Sequence, residues 1–127
     1  MRSVRYHRYG GPEVLRIEQV PEPEPGPGDL LVRAGAVGVT LPAVRKVRNE
    51  GEVTALPCTL GGEVAGRVIA VGAEVTDFAV GDRVVGLAFA DAYADAVIVP
   101  TFTAGHVPDH VDFTHAVALV RSGQVAP

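Results

Sequence analysis

Residues 60–84 (L-G-G-E-V-A-G-R-V-I-A-V-G-A-E-V-T-D-F-A-V-G-D-R-V) constrain the fold of this chain more than any other stretch. Val64, Val68, Ile69 and Val71 supply β-forming apolar residues, and Gly72-Ala73-Glu74 marks a change of direction. Gly81-Asp82 then opens a second β-branched run at Arg83-Val84-Val85. Gly61, Gly62 and Gly66 sit inside a β pattern, where glycine signals close backbone approach or a bulge and not a flexible linker. A strand, a tight turn and a returning strand are expected, with the rest of the chain building a sheet around them.

The flanks carry the same punctuation. A strand is expected over 4–8, a turn at Gly10-Gly11-Pro12, and a second strand over 14–20. Residues 21–28 (P-E-P-E-P-G-P-G) hold too many prolines for a helix or central strand, so they predict an ordered, extended crossing. A long strand over 29–40 follows, bent at Gly35 and Gly38. Leu41, Val44 and Val47 recur at helical spacing behind Pro42, predicting a short helix over 41–48 with Thr40 as N-cap. Residues 50–58 read as a loop, and strands continue through Ala88 and over 93–99. A turn follows Pro108, and Asp112 caps a final helix over 113–121, with Ser122-Gly123 as its stop. Short strands punctuated by Gly and Pro, with two short helices, predict a mainly β, barrel-like domain.

Bulk properties narrow the function classes. The chain has 127 residues, 47% hydrophobic, which suits one domain with a small core. A net charge of −4 argues against a phosphate-backbone partner. No apolar run is long enough to cross a bilayer as a helix, and the basic N-terminus lacks a following apolar segment, so a cytoplasmic location is expected. The single Cys58 excludes an internal disulfide and a cysteine-based zinc site.

Four segments in order carry a family likeness: R-Y-x-x-Y-G-G-P-E-V-L (5–15), P-x-P-G-P-G-D-L-L-V-R (23–33), G-G-E-V-A-G-R-V-I-A-V-G (61–72) and F-A-V-G-D-R-V (78–84). Together with Tyr93-Ala94-Asp95 and the following A-V-I-V-P, they resemble the medium-chain dehydrogenase/reductases, within them the zinc-independent quinone oxidoreductase branch. The resemblance implies a GroES-like, partly open β-barrel over residues 1–111, the substrate-side domain. Residues 112–127 would form a helix leading toward a Rossmann domain that holds NADPH. No strand–G-x-G-x-x-G–helix unit occurs in these residues; Gly61-Gly62-x-x-Ala65-Gly66 lies within a strand and opens no helix. The expected function is therefore the substrate-side part of an NADPH-dependent quinone or enone reductase, lacking its nucleotide domain, not catalytic alone and not binding NADPH stably. A stand-alone barrel serving as a binding or interaction module is the alternative. Self-association through an exposed former domain interface is a further expectation.

The resemblance also places the site. Zinc-dependent members similar to this chain carry Cys where Thr40 stands and His where Gly62 stands, so no metal is expected. Quinone reductases resembling it have Asn at the Thr40 position, near the nicotinamide and the acceptor; Ala43 and Arg45 replace an Asp and a Tyr. Thr40 is thus expected to contact cofactor and substrate, or to serve only as the helix N-cap. Arg45, with Lys46 and Arg48, faces a nucleotide phosphate or acidic substrate, or is a solvated helix face. Tyr93 and Phe89 line a pocket or belong to the core. His106 and His110 flank Pro108 and are read as solvated loop residues; His7, in a strand, and His115 have no apparent partner. Cys58 lacks an activating His, and no residue is assigned a catalytic role.

Overall fold

The computed structural model describes residues 1–48, 56 and 59–125, and within these the side chains of all but residues 41 and 120–125. Two strands, β1 (Arg2–Tyr6) and β2 (Leu15–Gln19), pair antiparallel as a two-stranded sheet joined through the turn at Gly10-Gly11-Pro12. A second sheet takes the order β6-β3-β4-β5-β7, from β3 (Asp29–Val37), β4 (Gly62–Val71), β5 (Arg83–Ala88), β6 (Ala96–Pro100) and β7 (Gly105–His106). Every pairing within it is antiparallel. Helix α1 (Leu41–Val47) links β3 to the segment before β4, and α2 (Phe113–Val125) packs against β3, β4 and β5. The architecture is mainly β with open sheets, as a partly open GroES-like barrel requires.

The glycines act where the sequence pattern expects them. The β3–β4 ladder slips register between Ala34 and Ala36, so Gly35 sits at a bulge that bends the strand. A Cβ at Gly35 would lie 2.5 Å from the Phe113 ring of α2, so the missing side chain makes room for the helix. The proline-rich crossing is ordered at its end: the Pro27 carbonyl accepts from the Glu74 amide at 2.9 Å, and Gly72 passes against Gly26 and Pro27 too closely for any side chain.

Three apolar clusters divide the core. Leu30, Val32, Val64, Val68, Val84, Val97 and Val99 fill the sheet interior. Each such side chain contributes roughly 1.5–3 kcal/mol on burial. Ala65, on the other face of β4 from Val64, packs with Val107, Ala116 and Val117 beneath α2. Tyr6, Val14, Ala43, Val47 and Leu60 join the N-terminal hairpin to α1, with Tyr9, Leu15 and Tyr93 against them.

Several expectations change. The strand expected over 29–40 ends at Val37, and that over 93–99 begins at Ala96. The strand over 4–8 is Arg2–Tyr6, leaving His7 in a bend beyond it. The last helix runs through Ser122-Gly123 to Val125, because one helical glycine costs only about 1 kcal/mol and does not oblige a stop. Its start is as expected: Asp112 Oδ1 accepts from the His115 amide at 2.8 Å. Strand β7 had no signal, two residues being too short for periodicity. The loop expected over 50–58 lies outside the described residues except for Leu56, and Cys58 lies outside them.

Candidate functional site

Helix α1 begins where β3 leaves the sheet. Thr40, half-buried and extended (φ −121°, ψ 160°), occupies the N-cap position, but its side chain makes no capping hydrogen bond. The cap role expected for its hydroxyl is thus absent; Pro42 in the first turn removes one amide that needs capping.

An apolar cavity of about 70 Å³ lies beside this junction. Val39, Ala43, Val44 and Val47 line one side, Leu60 and Tyr93 another, and Gly10-Gly11-Pro12 with Leu15 close it from the hairpin turn. Among the described residues, Arg48 is the one charged side chain on its wall. Arg45 is exposed on α1 and does not line the cavity. Lys46 departs from the solvated-face reading: its Nζ donates to the Thr59 carbonyl at 2.9 Å, tying α1 to the approach to β4.

Tyr93 is the hub. Its hydroxyl donates to the Gly38 carbonyl, 55 residues away, at 3.1 Å. Burial first, and the negative charge of Glu63 second, raise its phenol above the ordinary tyrosine range. Its loop is held by Asp91, in the left-handed region at φ 55°. The Asp91 amide donates to Thr59 Oγ1 at 3.0 Å, and its carboxylate accepts from the Ser3 hydroxyl and from Arg5 at 3.5 Å. At Asp95, the Arg2 guanidinium and then the Arg2 amide hold the carboxyl below the usual range.

The remaining sequence candidates fall elsewhere. Phe89 is neither core nor cavity lining; it is 65% exposed and stacks on Phe102 with ring centroids 6.1 Å apart. His106 is not a free loop residue: it sits in β7, stacked on Phe78 at 4.5 Å, with Nε2 3.1 Å from the Asp77 carbonyl. His110 is exposed in the turn beyond it. His7 and His115 do have partners, Glu18 at 2.6 Å and Asp112 at 2.7 Å. Among the described residues no three His, Cys, Asp or Glu side chains converge as a metal site would require.

Sequence reasoning passed over Glu63 except as a zinc ligand. Only 2% exposed, it is with Ser3 one of the two buried polar or charged residues among those described. A lone carboxylate inside the apolar run 60–71 was the available signal, since buried charge is rare unless partnered.

Gly61, Gly62 and Gly66 form no anion cradle. Gly62 and Gly66 are paired with both neighbouring strands or with β5, and no helix follows them, so these residues do not fit a pyrophosphate.

Comparison with known proteins gives the family context. Residues 26–109 match the alcohol dehydrogenase GroES-like domain. A quinone oxidoreductase from Pseudomonas aeruginosa is 37% identical over 126 residues, covering 96% of this chain and 38% of the relative. Among solved structures, a quinone oxidoreductase from Pseudomonas syringae superposes with TM-score 0.89 at 34% identity, over 98% of this chain and 38% of that one. The Escherichia coli quinone oxidoreductase complexed with NADPH superposes with TM-score 0.88 at 28% identity, over 93% of this chain and 36% of that one. The chain therefore spans well under half the length of the relatives it matches.

Proposed function

This chain belongs to the alcohol dehydrogenase GroES-like domain family, on its quinone oxidoreductase-type side, and from that premise we propose that it forms the acceptor-side wall of an NADPH-dependent reductase of quinones or enones. The observation that carries the reading is the apolar cavity between α1, Leu60 and Tyr93, whose wall includes Val39 and Ala43 on either side of Thr40 in sequence but not Thr40 itself. An apolar lining with few polar groups suits a planar, uncharged acceptor.

In this reading residues 1–111 are the wall, and residues 112–127 lead toward a separate nucleotide domain. Bound NADPH supplies the hydride. Thr40, its hydroxyl not used as a cap, donates to the acceptor carbonyl and borders the nicotinamide. Tyr93 offers its ring to the acceptor while its hydroxyl is engaged by Gly38. Arg45, exposed on α1, meets the nucleotide phosphate. The cavity wall excludes water from the reacting atoms. No metal takes part, the site is cytoplasmic, and the 127 residues alone do not turn over NADPH.

Titrating the isotope-labelled chain with 1,4-naphthoquinone tests this. Amide shifts at Val39, Thr40, Ala43 and Tyr93 are expected, weakened in Thr40→Val. Shifts scattered elsewhere, or none, defeat the reading.

The second reading, a stand-alone interaction module, requires a surface without a sticky former interface, and the exposed Phe89–Phe102 pair weighs against it. No self-association at high concentration, together with no naphthoquinone response, would support it instead.

A further inference from the structure

A buried carboxylate needs a reason, because removing it from water costs several kcal/mol unless its surroundings compensate. Glu63 lies at the start of β4, 2% exposed, immediately after Gly62 at φ 153°. Both its backbone and its side chain meet Gly38. The Glu63 carbonyl accepts from the Gly38 amide at 2.9 Å. Its carboxylate packs so closely on Gly38 that a Cβ there would lie 2.9 Å from Oε2. From the other direction the Tyr93 hydroxyl donates to the Gly38 carbonyl at 3.1 Å. Gly38 is thus gripped by backbone, carboxylate and phenol, and Thr40 follows two residues later, where the chain turns into α1.

We propose that Glu63 is a positioning residue: its carboxylate, packed on Gly38, fixes the 38–40 segment and so sets where the Thr40 hydroxyl stands toward the acceptor. The proposal rests on the reading of Thr40 as an acceptor contact. A side chain at 38 would have to push the Glu63 carboxylate aside. The charge is felt at Tyr93, whose phenol burial and then Glu63 hold in the protonated, donating form.

The test uses Glu63→Gln, which keeps shape and removes charge, and Glu63→Asp, which keeps charge and withdraws it by one methylene. Amide exchange at Gly38 and Thr40 is measured beside Leu30 and Val99 as distant references. Glu63→Asp is expected to speed exchange at Gly38 roughly tenfold while the references hold, and to leave the Tyr93 titration raised. Glu63→Gln, which keeps the packing, is expected to keep the protection at Gly38 and to lower the pH at which Tyr93 titrates. Unchanged exchange at Gly38 in Glu63→Asp overturns the proposal. So does a uniform loss of protection across the references, which is the signature of a merely structural residue. If Glu63→Asp does not fold, Gly38→Ala, which presses the carboxylate from its other side, must reproduce the local exchange pattern or the proposal falls. None of these readouts needs an acceptor, so the proposal can fail while naphthoquinone still shifts Thr40. If the clamp holds but naphthoquinone gives no shift, the functional reading fails and the clamp stands.

Discussion

Gly66 of β4 runs so close beneath Arg33 of β3 that any Cβ at Gly66 would collide with the Arg33 carbonyl oxygen. The two strands meet here beside a register slip, with Ala34 opposite Gly66 and Arg33 opposite Arg67. Gly66→Ala therefore forces the central ladder apart and is expected to cost roughly 2 kcal/mol or more. Gly28→Ala, where nothing lies within 4 Å, is expected to be near neutral. Denaturant melts of the two variants check this; equal midpoints would show that the β3–β4 approach is not tight.

The docking of α2 rests on a similar exclusion. Phe113 occupies the space a Cβ at Gly35 would take, and the Arg83 guanidinium lies 4.5 Å over the same ring. Gly35→Ala is expected to destabilise by about 1–3 kcal/mol, and by less than about 0.5 kcal/mol when Phe113→Ala has already cleared the space. A double-mutant cycle measured by thermal melting reads the coupling; additive costs would refute it.

Tyr93→Phe removes the donor to Gly38 and is expected to cost about 1 kcal/mol at neutral pH. The phenol is raised in the folded state, so the folded protein holds that proton more tightly than the unfolded chain. Its contribution is full below the unfolded value near pH 10 and is lost as pH rises through the folded value. The parent chain should therefore lose stability more steeply than Tyr93→Phe above about pH 10. Parallel alkaline limbs would contradict this.

Asp95 gives the opposite sign. Arg2 lowers its carboxyl in the folded state, so its contribution is present above the unfolded carboxylate value and is lost as pH falls through the folded one. Asp95→Asn is expected to flatten the acid limb below about pH 4 and to speed amide exchange in β1, whose Arg2 amide and guanidinium both bond Asp95. An acid limb identical to the parent's would show that the pair is fully screened.

Thr40 was expected to be either a cap or a site residue, and the sequence could not choose between them. The helix it precedes was legible from Leu41, Val44 and Val47, since helical spacing is a local property. Whether the hydroxyl turns back to the helix depends on backbone angles set by β3 and by Gly38, which no spacing encodes. The same holds for Phe89: an aromatic after a strand reads as core or pocket, yet its strand ends at the sheet rim and leaves it in solvent.

Sequence alone determined the strands and turns other than β7, the bulge glycine at 35, the cap at Asp112 and the ordered proline crossing, because each depends on the conformational limits of a few adjacent residues. It also determined the family, through motifs spread along the chain. Only the tertiary structure decided that Tyr93 reaches Gly38, that Glu63 is buried against the same glycine, and that Lys46 ties α1 to Thr59. Those outcomes follow from non-local packing, where residues many positions apart compete for one volume, and such competition leaves no periodic trace in the sequence.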